Sequence, residues 1–245
     1  MSLITVLATP DLLLDRDLSG YAAAVIDVLR ATSSISTAFA SGCRKLIPAR
    51  SIEEALAKRD ENPGALCTGE QGGLKIPGFD LGNSPFEYSP KNVAGKTIIM
   101  TTSNGTRAVL GAAQAGASPV FLCSLLNVPA IAKACVAVCG GSEGGPKELI
   151  VVCSGEHGGF SLEDFACAGA LTAAVASQGP YSLDPGARAA LSLYEAYKRD
   201  ALQVLKDSPH GRQLIDMGFG EDLAYCAKVG ALDVVPRFSA GTVTS

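Results

Sequence analysis

One short phrase occurs twice in this chain, and each copy places one glutamate beside several glycines. The first copy is CTGEQGGL at residues 67–74, and the second is CSGEHGGF at residues 153–160. Glycines let the backbone approach a ligand closely, and a carboxylate beside them suits a metal ion or a proton better than a phosphate. We therefore expect Glu70 and Glu156 at a ligand site. The repeat predicts an internal duplication, and two unrelated glycine turns are the alternative.

A second candidate is an aspartate at the end of an apolar stretch. Asp27 follows five apolar residues, and Arg30 and Thr32 lie just beyond it. Ligands bind at the carboxyl ends of strands in open α/β sheets, so Asp27 is placed to hold a metal or to attack phosphorus. Phosphatases with an aspartate nucleophile carry a second aspartate two positions on, where this chain has Leu29. That class is therefore not expected, and capping of the following helix is the alternative role of Asp27.

Two polar segments accompany these acids. Residues 101–107 place hydroxyls, the amide of Asn104 and the N–H groups of Gly105 and Thr106 at a predicted helix start, which favours an oxyanion. An ordinary helix cap is the alternative for this segment. The loop over residues 76–85 is suited to deliver the carboxylate of Asp80 or the amide of Asn83 to the same cleft.

Two adjacent acids, Glu163 and Asp164, follow the second glycine phrase. Ser161 with Asp164 three residues later fits a capping box, so one acid can serve the helix end and the other a metal. Magnesium prefers one or two carboxylates together with waters and phosphate oxygens. The chain has two histidines, so no histidine cluster competes with that site. Cys123 and Cys153 lack an arginine six positions on, which argues against a cysteine-phosphatase loop.

The elements that position these residues alternate between strand and helix patterns, which predicts an α/β fold. Residues 1–245 are expected to form one domain, because no linker is long or polar enough to separate two. We expect a functional role for the long irregular segment 72–90 and a loop at 140–146. Strands are predicted at 21–29, 46–48, 97–100, 120–123 and 149–153, and helices at 34–41, 52–59, 106–115, from 127, 161–177 and 184–207.

Composition sets the class of protein. Hydrophobic residues make up 47% of the chain and charged residues 18%, which is typical of a compact globular protein. The net charge of −4 argues against nucleic-acid binding. Eight cysteines without paired spacing predict buried thiols rather than zinc or disulfides. No apolar run reaches about 18 residues, and the first ten residues lack a signal-peptide pattern, so we expect a cytoplasmic protein without membrane contact.

Taken together, the phrases resemble the signature blocks of the 2-phosphosulfolactate phosphatases. The blocks keep their order, and the resemblance runs from about residue 25 to residue 236. Gln71 and Ser103 stand where many members of that family carry arginine and threonine. The matching blocks are residues 26–32, 69–73, 78–85, 102–106 and 162–169, with further matches at Asn127, 208–211 and 235–236.

The resemblance implies a Mg²⁺-dependent hydrolase that converts (2R)-2-phospho-3-sulfolactate to sulfolactate and phosphate, a step of coenzyme M biosynthesis. It also implies a three-layer α/β/α fold with a mixed sheet, two intertwined similar halves and a homodimer. The expected catalytic residues are Asp27, Arg30 and Glu70, and the expected metal ligands are Asp27, Glu70, Glu163 and Asp164. The expected substrate-binding residues are Asn83, Asn104, Gly105, Thr106, Cys123 and Glu156.

Two other functions stay open at this point. One is a phosphatase for another small 2-phosphohydroxy acid, because proteins that share a fold can act on different substrates. The other is a metal-dependent protein that binds an anionic metabolite without hydrolysing it. Several acids around an anion argue against a binder without a metal, since like charges repel.

Overall fold

A computed structural model describes residues 2–140 and 148–245 of the chain. The loop predicted at 140–146 therefore lies outside the described residues except for Gly140. The described strands are Ser2–Leu7 (β1), Tyr21–Ile26 (β2), Lys45–Pro48 (β3), Leu66–Gln71 (β4), Leu74–Lys75 (β5), Thr97–Thr101 (β6), Val120–Cys123 (β7), Glu148–Cys153 (β8), Tyr181–Leu183 (β9), Arg237–Ser239 (β10) and Thr242–Thr244 (β11).

Helices lie between most of these strands, so the predicted α/β class is confirmed. Short 3₁₀ turns occur at Pro10–Leu13, Pro85–Glu87 and Leu125–Asn127. The α-helices are Ala31–Ala40 (α1), Ile52–Glu61 (α2), Pro90–Val93 (α3), Gly105–Gln114 (α4), Val128–Gly140 (α5), Leu162–Ala176 (α6), Pro185–Tyr197 (α7), Ala201–Asp207 (α8), Pro209–Asp216 (α9) and Gly220–Cys226 (α10).

The strands form one mixed sheet in the order β5-β4-β6-β3-β11-β10-β7-β2-β8-β1-β9. Strands β7, β2, β8, β1 and β9 form a larger parallel part, and β4, β6 and β3 form a smaller one. The antiparallel hairpin of β10 and β11 joins the two parts. The chain starts in the larger part, passes through the smaller one and returns, so the larger part contains strands from two separate stretches of sequence and the smaller part comes from one.

Strand β2 is buried on both faces. Its residues Ala22, Ala24 and Ile26 belong to one hydrophobic cluster, and Ala23 and Val25 belong to another. Helices α5, α6 and α7 contribute to the first cluster, and helices α1 and α4 contribute to the second. Because side chains alternate along a strand, an apolar run without polar positions indicates a strand covered on both sides. Asp27 therefore directly follows an interior strand of the larger parallel part.

Most element boundaries agree with the sequence-based predictions to within two residues, and the larger differences lie around Asp27 and in the C-terminal helices. The predicted strand 21–29 ends at Ile26, and the next helix starts at Ala31 rather than at Ser34. The predicted helix 184–207 is two helices, because Asp200 accepts a hydrogen bond from the backbone N–H of Gln203 and starts α8. The segment 72–90 is largely irregular, as predicted, apart from β5, the turn at Pro85–Glu87 and the start of α3.

The eight cysteines form no disulfide, and seven of them are buried. Burial raises the pKa of the Cys135, Cys153 and Cys167 thiols well above the usual value, which keeps them protonated. Within residues 2–140 and 148–245, the helices are all too short or too polar to cross a bilayer.

Candidate active site

A cleft opens where several parallel strands end. It encloses about 460 Å³, including its opening to solvent. The two copies of the repeated phrase meet here, because Glu70 comes from the first copy and Glu156 from the second. We call this the acidic cleft, and its lining residues are Asp27, Leu29, Arg30, Glu70, Gly72, Gly73, Asn83, Ser103, Asn104, Glu156, His157, His210 and Gln213.

Asp27 has one carboxylate oxygen engaged and one free. Its Oδ1 accepts a hydrogen bond from the backbone N–H of Ala31 at 3.0 Å, so the capping role considered from the sequence is present. Its Oδ2 accepts no hydrogen bond from the described residues. Burial raises the pKa of Asp27 to about 7, and the nearby carboxylates of Glu70 and Glu163 add to the rise. A cation beside Oδ2 would reverse this effect, since it stabilises the charged form.

Glu70 has both oxygens engaged by backbone. Its Oε2 accepts the N–H of Gly73 at 2.8 Å, and its Oε1 accepts the N–H of Ser103 at 2.8 Å. It thus ties the glycine turn after β4 to the segment after β6. The Cβ of any side chain at Gly69 would lie 1.8 Å from the backbone oxygen of Thr101, so only glycine lets these two strands approach so closely.

Arg30 lines the acidic cleft but is already paired. Its Nη1 lies 2.6 Å from Oδ2 of Asp222, and both side chains are at most 3% exposed. Its Nη2 donates to the backbone oxygen of Gly73 at 2.5 Å, and its guanidinium stacks over the ring of Phe219. These three contacts hold the guanidinium in the wall of the cleft. The contact with substrate expected for Arg30 stays a prediction.

Glu163 and Asp164 lie behind the cleft rather than in its lining. Asp164 accepts the N–H of Val28 at 2.8 Å and the N–H of Gly155 at 3.2 Å, so it joins the two strand ends that carry Asp27 and Glu156. Its own N–H donates to Ser161, which confirms half of the predicted capping box. Burial raises the pKa of both Glu163 and Asp164 above the usual range. Their expected role as metal ligands stays a prediction.

Asn83 reaches the cleft from the irregular segment. The loop is fastened to β4 because Oδ2 of Asp80 accepts the N–H of Cys67 at 2.8 Å. Asp80 therefore anchors the loop, and Asn83 is the residue that it delivers. Asn83 is 4% exposed, and its Oδ1 has no hydrogen-bond partner among the described residues. Buried polar atoms are almost always paired, so this unpaired amide oxygen, on a residue that lines the cleft, is a candidate contact for a ligand.

Three of the expected substrate-binding residues do not line the acidic cleft. Gly105 packs behind Asp27, because a Cβ there would lie 2.7 Å from Oδ2 of Asp27. The N–H of Thr106 donates to Oγ1 of Thr102. Cys123 is fully buried in the core at the end of β7. Asn104 and Glu156, by contrast, line the cleft as expected.

His210 and Gln213 line the cleft without a role assigned to them from the sequence, although residues 208–211 form one of the matching blocks, and Ser103 was included only as part of the polar segment 101–107. The chain has only two histidines, and both His157 and His210 line this cleft. Nδ1 of His210 lies 3.8 Å from Oε1 of Glu163, which is buried. One local signal could have pointed to His210. Ser208 and Pro209 mark the start of helix α9, and His210 follows them directly in its first turn.

The lining of the cleft offers the donor types that suit a small hard cation. Within the described residues, Oδ2 of Asp27, Oδ1 of Asn83 and the carboxylate of Glu156 accept no hydrogen bond, and carboxylate and amide oxygens are the ligand types that Mg²⁺ prefers. Across residues 2–140 and 148–245, no three Asp, Glu, His or Cys side chains come together at metal-binding spacing. Mg²⁺ does not require three, because it keeps several waters and takes its other ligands from substrate phosphates.

Comparison with known proteins places the chain among relatives of similar length. A protein described as a probable 2-phosphosulfolactate phosphatase from Caldanaerobacter subterraneus subsp. tengcongensis is 40% identical over 94% of this chain and 92% of its own length. Proteins of the same description from Carboxydothermus hydrogenoformans and Deinococcus radiodurans are each 40% identical over 88% and 89% of this chain and over 85% and 88% of their own lengths. The family model described as 2-phosphosulpholactate phosphatase matches residues 7–241, and the chain therefore belongs to that family.

Proposed function

We propose that this chain is a Mg²⁺-dependent phosphatase that hydrolyses 2-phosphosulfolactate to sulfolactate and phosphate. The observation that carries the proposal is the meeting of Asp27, Asn83 and Glu156 in one cleft, with free oxygens from three separate segments. Membership of the family supplies the substrate, because its described activity is removal of phosphate from 2-phosphosulfolactate. The fold alone would not name that substrate.

Charge explains why a cation belongs in the reaction. The substrate carries phosphate, sulfonate and carboxylate groups, and the cleft wall carries Asp27, Glu70 and Glu156. Carboxylates without a counter-charge repel an anion, so a divalent ion between them and the substrate would favour binding. When bound, Mg²⁺ would neutralise charge on the phosphoryl oxygens and lower the pKa of a bound water. Asp27, Asn83 and Glu156 would hold it, and Glu70 keeps the surrounding turns in place.

The remaining residues position the phosphate and the proton. Asn104 and Ser103 lie at the start of helix α4, whose positive end favours a phosphoryl group. Hydrolysis forms one P–O bond to water and breaks the P–O bond to the C2 oxygen, which must then gain a proton. His157 and His210 are the nearby groups able to donate it. Either water attacks phosphorus directly, or Asp27 attacks first and water then hydrolyses the aspartyl phosphate, and a trapped phosphoenzyme in the wild type would identify the second route.

A substrate panel tests the proposal. Purified protein with Mg²⁺ is assayed for phosphate release from 2-phosphosulfolactate and from 2-phospholactate, which lacks the sulfonate. Faster release from the sulfonated substrate supports the proposal. Equal release from both would keep the chemistry and assign a broader 2-phosphohydroxy acid substrate. Metal-dependent binding of either compound without release would replace the phosphatase with an anionic-metabolite binding protein.

A further inference from the structure

A second and larger cleft lies beside the acidic cleft and has the opposite character. It encloses about 1230 Å³, including its opening to solvent, and Ser103 lines both clefts. Three arginines line it together with three hydroxyl side chains, and we call it the arginine cleft. These six residues are Arg16, Arg50, Arg107, Thr102, Ser103 and Thr106.

The three arginines come from separate segments of the chain. Arg16 follows the 3₁₀ turn after β1, Arg50 follows β3, and Arg107 lies in the first turn of α4. Their convergence on one cleft is produced by the tertiary structure, because 34 positions or more separate each from the next in sequence. Arginine presents five N–H donors in a planar fork that matches an oxyanion, so such a convergence is typical of phosphate, sulfonate or carboxylate binding.

Much of the positive charge is not used inside the protein. Arg107 pairs with Asp11, and Nε of Arg16 donates to the backbone oxygen of Leu12. Among the described residues, Arg16 and Arg50 form no salt bridge, and Asp15 is the one acid in the lining. The arginine cleft thus carries net positive charge directly beside a cleft whose lining carries Asp27 and two glutamates.

The lining also contains apolar surface. Leu13, Leu14 and Leu110 lie in the same cleft, and Leu14 is 72% exposed. A lining that combines guanidinium groups, hydroxyls and leucines fits a small organic anion better than a bare inorganic ion, because the carbon skeleton finds apolar contact. The hydroxyls of Thr102 and Thr106 are 3.2 Å apart and provide polar contacts close to Arg107.

We propose that the arginine cleft binds the sulfonate- or phosphate-type oxyanion of a small organic acid. Two sources have this chemistry. The first is the sulfonate end of the substrate, whose phosphate lies in the acidic cleft across Ser103, and this source rests on the proposed function. The second is a separate anionic metabolite that binds whether or not the chain is a phosphatase.

Direct binding tests the site without relying on catalysis. Calorimetric titration with 3-sulfolactate in EDTA is carried out on the wild type, Arg16→Gln and Arg50→Gln. The control is Arg199→Gln, which removes the same charge from an exposed position that lines no described cavity. Losing one charge-assisted contact weakens binding by roughly tenfold in the two cleft variants and leaves the control unchanged. Equal affinity in all four proteins would overturn the proposal.

Kinetics then separate the two sources. If the sulfonate of the substrate occupies the cleft, Arg50→Gln raises KM for 2-phosphosulfolactate by roughly tenfold and leaves KM for 2-phospholactate unchanged. If a separate metabolite occupies it, 3-sulfolactate still binds in an arginine-dependent way, but the ratio of the two KM values does not change. Absence of phosphatase activity leaves the calorimetric test intact, so failure of the proposed function and failure of this site give different results.

Discussion

Asp27 is a buried carboxylate near other acids, and one of its two oxygens accepts no hydrogen bond from the described residues. It is buried at a strand end, faces the carboxylates of Glu70 and Glu163, and has a pKa raised to about 7 by burial. Stability alone would favour an uncharged residue in this position, because a buried charge without a partner is costly. A cation beside Oδ2, as in the proposed function, would remove this cost, because it stabilises the charged carboxylate.

Replacing Asp27 with asparagine should therefore have opposite effects on activity and stability. We expect Asp27→Asn to lower kcat by about a thousandfold or more, because it removes a metal ligand or nucleophile. Without metal at pH 8, the same variant should melt a few degrees higher than the wild type, on the order of 4 °C. Phosphate release and thermal melting in EDTA measure both effects, with Asp60→Asn as an exposed control. Retained turnover would remove Asp27 from the site.

The position of His210 leads to a prediction about protonation of the leaving group. His210 lines the cleft beside the buried Glu163, and it is placed to give a proton to the departing C2 oxygen. His210→Gln should lower kcat by about a hundredfold with the natural substrate, which has a poor leaving group. The loss should be small with 4-nitrophenyl phosphate, whose leaving group needs no proton. An equal loss with both substrates would assign His210 a role in binding.

At the scale of elements, helix α4 sets the position of Asp27. The Cβ of an alanine at Gly105 would lie 2.7 Å from Oδ2 of Asp27 and 2.8 Å from Cβ of Ala31. At Gly111, in the same helix, an added Cβ would lie 3.5 Å from Leu13, which is ordinary contact. The first turn of α4 therefore needs glycine for packing against the site, and the middle of the helix does not.

This difference predicts a matched pair of variants. Gly105→Ala should reduce kcat by about a hundredfold, because misplacing a catalytic group by an ångström can have that effect. Gly111→Ala should keep kcat unchanged and gain about 0.5–1 kcal/mol of stability, since alanine favours a helix over glycine. Steady-state kinetics and denaturant unfolding measure the pair. Similar behaviour of the two variants would contradict the packing argument.

The ion pair between Arg30 and Asp222 joins the loop after β2 to helix α10. Asp222 also accepts a hydrogen bond from Oγ of Ser84, so it fastens the segment that delivers Asn83. Asp222→Ala should cost about 3–5 kcal/mol in the free energy of unfolding, because Arg30 would keep a buried charge without its partner. Denaturant unfolding checks this, with the exposed neighbour Glu221→Ala as control. A loss under about 1 kcal/mol would show that water replaces Asp222.

Local sequence signals predicted the strand ends but not the contacts between them. Asp27, Glu70 and Glu156 follow apolar runs or glycine turns, so their placement at one sheet edge was predictable from the chain. The pairing of Arg30 with Asp222 spans 192 positions and leaves no local pattern. The hairpin of β10 and β11 was also missed. Each of its strands has three residues, with one buried apolar residue between two polar ones, and this is too short for a recognisable strand pattern. Contacts of this kind arise only from the assembled fold.

At the scale of the whole molecule, the acidic cleft couples stability to pH and metal. Asp27 has a folded-state pKa near 7, above the ordinary value of 3.8, so the folded protein holds a proton more tightly than the unfolded chain. The stability contributed by this group is therefore present at low pH and is lost as pH rises through 7. Because of the raised pKa of Asp27, we expect the metal-free protein to be less stable at pH 8 than at pH 5.

Magnesium should offset that loss. If Mg²⁺ binds the charged carboxylate as proposed, it should raise the melting temperature of the wild type more at pH 8 than at pH 5. It should leave Asp27→Asn nearly unchanged at both values. Thermal melting of both proteins with Mg²⁺ and with EDTA measures the effect. A similar rise in the variant would place the metal away from Asp27.

The most direct test of the central claim is phosphate release from 2-phosphosulfolactate by the purified protein, with Mg²⁺, with EDTA, and with Mg²⁺ restored in excess. For a Mg²⁺-dependent phosphatase we expect turnover with Mg²⁺, loss of turnover in EDTA, and recovery of turnover when the metal returns. Turnover at the same rate in EDTA would contradict a metal-dependent site formed by Asp27, Asn83 and Glu156. Absence of release from the folded, Mg²⁺-loaded protein would contradict the phosphatase itself.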